Sequence, residues 1–218
     1  MNSVNKIVLL GDSGVGKSTL VNNLCGTLNS RPQSTVGCNI QVIAHQYSAG
    51  TPLEELEYVE LWDVGGSNAH RQAITVYLEN SAGVIFVHDL GNSKSEENLA
   101  QWADLLNNYR VLQSNQSANR LVSEYNSPFS DVERVSVLPT LIVGSRLDLA
   151  SHRAKGQTRS TVAGLKHFES VFLDFTRDIA PGSTNRLIFS RFFDAVIDKS
   201  RALDDRSFSQ PRRRRLVD

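Results

Sequence analysis

The alternation of apolar and polar positions divides the chain into short, regularly ordered elements. Residues 6–10 form an apolar run of strand formers stopped by Gly11, and from Lys17 onward Leu20, Val21 and Leu24 recur at helical spacing. A strand, a loop and a helix are therefore predicted in that order. Over 38–47, Ile40, Val42 and Ala44 alternate with Asn39, Gln41 and Ile43; over 56–62, Tyr58 and Glu60 alternate with Val59 and Leu61. The linker 48–55 carries Gly50 and Pro52 and reads as a turn, which makes these two strands antiparallel neighbours.

A helical segment over 72–80 follows, then a run at 83–89 apolar enough for a strand buried on both faces. Residues 95–109 predict a helix whose first turn carries Glu96 and Glu97, where the helix dipole favours negative charge. Next come a strand over 138–144, a short helix over 161–169, a strand over 171–175 and a helix over 184–200. In the last of these, Leu187, Ile188, Phe192, Phe193 and Val196 make a broad apolar face. The order β-α-β-β-α-β-α-β-α-β-α predicts an α/β three-layer sandwich, its six-stranded sheet mostly parallel with one antiparallel edge strand. Ligands in such folds sit at the carboxyl ends of the strands.

Residues 1–200 fit one domain, since 218 residues with 40% hydrophobic content fill a single core. The segment 110–136 is polar, rich in Asn and Ser, and too long for a routine connection; it predicts a mobile insert. Residues 201–218, ending in four arginines at 212–215, predict a basic, flexible tail. With 23 basic and 23 acidic side chains the charge balances, which removes any bulk electrostatic reason to expect nucleic acid. Cys25 and Cys38 alone make neither a disulfide framework nor a metal site, and no secretory signal or bilayer-length apolar run is present, so a cytoplasmic protein is expected. No cysteine stands near the C-terminal end and no glycine follows Met1, so no lipid anchor is expected, and four arginines alone attach weakly to membranes.

Gly11-Asp12-Ser13-Gly14-Val15-Gly16-Lys17-Ser18 satisfies the pattern G-x-x-x-x-G-K-[S/T] between a strand and a helix. In such a loop the glycines let backbone N–H groups wrap phosphate oxygens, so Ser13, Gly14, Val15, Gly16, Lys17, Ser18 and Thr19 are the candidate phosphate contacts. Lys17 neutralises β- and γ-phosphate charge, and the Ser18 hydroxyl is a candidate Mg²⁺ ligand. Asp63-Val64-Gly65-Gly66 follows an apolar strand. It places a carboxylate where it can hold the same Mg²⁺ and a glycine N–H where it can approach the third phosphate. Thr35, in the loop before the second strand, completes the metal set of Ser18, Thr35 and Asp63 and the catalytic set of Lys17, Thr35 and Gly66.

The phosphate loop, together with Ser34-Thr35-Val36-Gly37 and Leu61-Trp62-Asp63, resembles the Ras superfamily of small GTPases and its Rab branch. Leu61 to Ser67, Phe86-Val87-His88-Asp89, Gly50-Thr51-Pro52 and Ser190-Arg191-Phe192-Phe193 resemble a Rab-like subfamily more narrowly, over most of residues 4–200. The resemblance implies GTP or GDP with Mg²⁺ as ligands. Base recognition in the family uses Asn-Lys-x-Asp, and Ser145-Arg146-Leu147-Asp148 stands in that place: Asp148 keeps the carboxylate that pairs with guanine, Arg146 can stack on the base, and Ser145 is too short to replace an Asn amide. A further base contact is placed by position near Thr176.

Where relatives carry a Gln that orients the attacking water, this chain has Ser67, so slow intrinsic hydrolysis is expected; His70 and Gln72 are near enough in sequence to substitute after a rearrangement, although a solvated loop position is the commoner fate of such residues. The five histidines show no zinc spacing, His88 reads as a hydrogen-bonded core residue, and Trp62 and Trp102 read as packing groups. Two functions remain open: a cycling GTP switch acting through effector or regulator proteins, or a GTP-stabilised interaction module with little hydrolysis. The resemblance implies, besides, pairing with a second copy and an influence on the processing or location of other small GTPases or their chaperones.

Overall fold

The structure, a computed structural model, describes residues 5–27, 32–122, 138–150 and 169–208. Six strands, β1 (Asn5–Leu10), β2 (Cys38–Tyr47), β3 (Glu55–Val64), β4 (Gly83–Asp89), β5 (Thr140–Ser145) and β6 (Glu169–Phe172), form one sheet in the order β2-β3-β1-β4-β5-β6. All neighbours are parallel except β2 and β3, which pair antiparallel and leave β2 at an edge. This is the sandwich that the sequence predicts.

Alternation along β1 decides which layer each residue serves. Ile7 and Leu9 join Leu20, Val21, Val87, Phe189, Val196 and Ile197 on one side of the sheet; Val8 and Leu10 join Ile74, Leu78, Phe86, Leu99 and Trp102 on the other. Every residue of β1 and β4 is buried, as expected for central parallel strands covered on both faces. The covering helices are α1 (Lys17–Leu24), α2 (Asn68–Gln72), α3 (Ile74–Leu78), α4 (Ser93–Glu97), α5 (Leu99–Val122) and α6 (Thr184–Phe208).

Several boundaries differ from the sequence reading. The segment expected at 72–80 is two short helices, the first starting at Asn68, with a break at Ala73. The helix expected at 95–109 is also two, α4 and α5. The Asn92 side chain caps α4 by accepting from the Lys94 N–H at 3.2 Å, and the chain breaks at Asn98, whose amide turns to Asp12. Residues 110–122 of the expected insert continue α5, for neither Gly nor Pro interrupts them; the rest of the insert lies outside the described residues. The last strand starts at Glu169 rather than 171, because register with β5 sets Glu169 opposite Leu141 and Phe172 opposite Gly144. Residues 161–168 of the helix expected there lie outside the described residues. The final helix runs on to Phe208, past the expected start of the tail, and the arginines at 212–215 lie outside the described residues.

α6 is bound to the β2–β3 hairpin by a polar ladder at helical spacing. His45 Nε2 lies 2.8 Å from Asp194 Oδ1, the Tyr47 hydroxyl donates to Asp198 at 2.6 Å, and Arg201 pairs with Glu55 and Glu57 while its guanidinium stacks on Tyr47 at 4.4 Å. On the sheet side, α6 packs so closely over β4 that a Cβ at Gly83 would come within 2.5 Å of Val196 Cγ2. Gly83→Ala should therefore destabilise the fold by about 1–3 kcal/mol through overpacking, read as a lower urea midpoint with an unchanged slope.

Candidate functional site

At the carboxyl end of β1 the chain turns through the phosphate loop into α1. Gly16 takes a left-handed φ of 98° as the residue before the helix, a conformation a side chain would strain. The turn points Lys17 back into the loop. Its Nζ donates to the carbonyls of Gly11 at 2.9 Å and Asp12 at 2.8 Å. Burial pushes the Lys17 ammonium down to about 8, against the opposing pull of the Asp63 and Asp12 carboxylates.

Parallel pairing of β1 with β3 sets Asp63 opposite Leu9, at the same end of the sheet as the phosphate loop. Ser18 Oγ donates to Asp63 Oδ2 at 2.6 Å, Thr35 Oγ1 donates to the same oxygen at 3.0 Å, and the two hydroxyl oxygens lie 3.1 Å apart. Asp63 is buried, and its Oδ1 has no hydrogen-bond partner among the described residues. Two hydroxyls and a carboxylate with an orphaned oxygen form a hard-oxygen set that fits Mg²⁺, which takes one or two carboxylates and fills its other positions from phosphate and water. A cleft of about 310 Å³ opens beside them, lined by Ser18, Asn22, Thr35 and Asp63 among others. Gly66 lies on the backbone of Asp12 and Ser13 so closely that no Cβ would fit.

The base-side candidates are arranged differently. Ser145 is fully buried and its hydroxyl donates to the Val15 carbonyl at 2.7 Å, while Arg146 donates to Gly14 O at 2.9 Å and to Asp89 Oδ2 at 2.7 Å. Both residues thus brace the phosphate loop. Asp148 is exposed. Thr176 is exposed too, its N–H and hydroxyl both directed to Asp174 Oδ1 at 2.8 and 2.5 Å. Ser13 and Gly14 are exposed at the mouth of the loop, Val15 is buried beneath it, and Thr19 is half-buried on α1.

Sequence reasoning missed a second polar cluster. Asp12, at a free position of the motif, accepts from Asn98 Nδ2 at 2.6 Å, from Trp102 Nε1 at 3.1 Å and from Arg71, whose guanidinium stacks on Trp102 at 4.8 Å and donates to Gln101 at 2.6 Å. Burial pushes the Asp12 carboxyl up, but these hydrogen bonds outweigh it and hold the group below its ordinary value. Trp102 is therefore a packing group that also holds the loop. Only spacing in three dimensions joins these residues; the motif allows any residue at 12. His88 is fully buried, as expected.

A phosphate loop on this sheet, with a serine, a threonine and an aspartate converging from three segments, defines a G domain, the nucleotide-binding unit of small GTPases. The family described as the Ras of Complex (Roc) domain of DAPkinase matches residues 6–119. The chain is 39% identical over 206 residues to Rab-like protein 3 of Homo sapiens, covering 89% of this chain and 84% of that one. It is 38% identical over 215 residues to Rab-like protein 3 of Bos taurus (92% and 87%), and 36% over 204 residues to that of Danio rerio (89% and 85%). The chain belongs to the Rab-like protein 3 family of Ras-superfamily small GTPases.

The depression of the Lys17 ammonium by burial makes the stability of the fold depend on pH. Between about 8 and 10.5 the unfolded chain, with Lys17 at its ordinary value, holds a proton that the folded chain has released. This group therefore makes stability rise with pH across that window in the nucleotide-free protein. Urea unfolding at the two ends of the window should show the increment in the wild type and lose it in Lys17→Met. A phosphate beside Lys17 restores its charge, so GDP binding near pH 9 should take up a proton, visible by calorimetry in buffers of different ionisation enthalpy.

Proposed function

We propose that the protein is a GTP-operated switch with slow intrinsic hydrolysis, working in the cytoplasm through protein partners. The observation that carries this reading is the convergence of Ser18, Thr35 and Asp63 within hydrogen-bond distance, because it sets the loop of Thr35 against the strand end of Asp63 and the start of α1, where one nucleotide could meet all three. In this reading Lys17 and the loop N–H groups bind the β- and γ-phosphates, and the three oxygens hold Mg²⁺, which neutralises charge on the transferred phosphoryl. Thr35 and Gly66 sense the third phosphate and relax when it leaves. Asp148 selects guanine, since an adenine there would leave a buried donor or acceptor unpaired.

Slow hydrolysis rests on Ser67, whose side chain is too short to take the place of a Gln amide in aligning water. A partner can supply what is missing: an arginine acting in trans accelerates such sites by roughly 10³–10⁵. The second reading, a GTP-stabilised interaction module that pairs with a second copy and acts on other small GTPases or their chaperones, is favoured by one further observation. The Ser145 hydroxyl is committed to Val15, which in this reading takes it from the base and leaves Asp148 to hold guanine.

Single-turnover hydrolysis with Mg²⁺ separates the two. We expect tight GTP binding, slow turnover abolished by Lys17→Ala, and an acceleration of about tenfold or more, at least 1.4 kcal/mol of barrier, on Ser67→Gln. Binding with no turnover even in Ser67→Gln would leave the interaction module; failure to bind guanine nucleotide would remove both readings.

A further inference from the structure

His70, on α2, stands between the two loops that carry Thr35 and Gly66. Its Nε2 accepts the Gly37 N–H at 2.8 Å, and its Nδ1 lies 2.6 Å from Ser67 Oγ. A ring nitrogen that accepts a hydrogen bond carries no proton, so the neutral ring is protonated on Nδ1 and the Ser67 hydroxyl is the acceptor there. The Gly65 N–H closes the same circuit by donating to Gly37 O at 2.9 Å. The imidazole packs against Gly65 so closely that a Cβ there would come within 2.7 Å of Cε1, Nδ1 and Nε2.

We propose that His70 is a positioning residue that ties the Thr35 loop to the Gly66 loop, so that the two close as one unit around the nucleotide. The inference rests on the switch reading above and names the device that couples its two sensors. Gly37 lies two residues after Thr35, and Ser67 directly follows Gly66. Moving the Thr35 loop away from α2 breaks the Gly37 bond and strands a partly buried N–H, while the exposed Ser67 contact holds the ring to the start of its own helix, directly after Gly66. The Ser67 hydroxyl takes part by accepting from the ring's Nδ1. The clasp forms only when both loops are closed, so it stabilises the triphosphate form, in which both meet the ligand, over the diphosphate form.

Two measurements on the full chain test this. Nitrogen-15 NMR of the imidazoles, with Mg²⁺ and a non-hydrolysable GTP analogue, should show His70 protonated on Nδ1 and bare on Nε2; a ring protonated on Nε2, or exchanging between tautomers, overturns the proposal. The second is the ratio of affinities for the GTP analogue and for GDP. His70→Phe keeps a planar ring and neither nitrogen, and should lower the ratio by about tenfold, the scale of one hydrogen bond. His70→Gln, whose Oε1 can stand where Nε2 accepts, should recover most of it, and Ser67→Ala should add little in the His70→Phe background. An unchanged ratio in His70→Phe, or no recovery in His70→Gln, overturns the clasp. If the wild type binds neither nucleotide, the switch reading fails instead, and the tautomer in the unliganded chain decides the clasp alone.

Discussion

A carboxylate buried at the end of a strand costs free energy unless its oxygens are paired, and Asp63 is paired on one side only. Oδ2 takes the hydroxyls of Ser18 and Thr35, while Oδ1 meets no donor among the described residues. Three segments distant in sequence, the start of α1, the loop before β2 and the end of β3, are drawn to one point by this single charge. The same charge opposes the desolvation of Lys17. The arrangement is incomplete as a hydrogen-bonded cluster, and as a set of hard oxygens it fits a Mg²⁺ that would take its remaining ligands from phosphate and water.

Around that point the phosphate loop is held from three directions. Lys17 ties it from within, the Asp12 cluster ties it to α2 and α5, and Ser145 with Arg146 brace it from the end of β5. Polar groups in such a network are stabilised only while all are satisfied, so motion at one edge is felt at the others. Arg71 and His70, adjacent on α2, reach opposite ways: one to the phosphate loop, the other to Gly37. A five-residue helix with no fully buried side chain is in this way joined both to the phosphate loop and to the loop that carries Thr35.

The segment that corresponds to the base-reading motif shows a related economy. In the proposed reading the carboxylate of Asp148 remains open to a base, whereas Ser145 and Arg146 are turned to the phosphate loop. Stability of the loop and recognition of the base then depend on different residues of one short stretch. At the far edge of the sheet, the ladder from α6 to His45, Tyr47 and Glu57 fixes the hairpin that leads into Asp63.

By itself the sequence determined the layer order, the antiparallel edge and the residues of the phosphate loop, because each is encoded locally. Periodicity of two or 3.6 reports which face is buried, and the glycines and Lys17 of the loop act within one turn of chain. It also nominated Ser18, Thr35 and Asp63 as one set, from the motifs around the first and last and the loop position of the second, and the structure brings the three within hydrogen-bond distance. Tertiary structure alone decided the rest. That Asn98 breaks a helix to reach Asp12, that residues 110–122 stay helical, and that β6 starts at Glu169 depend on partners far away in sequence. The same is true of His70: nothing in a run of Ser67, Asn68, Ala69 and His70 tells that the ring will meet Gly37, because a hydrogen bond is set by distance and direction in space, which local sequence does not carry.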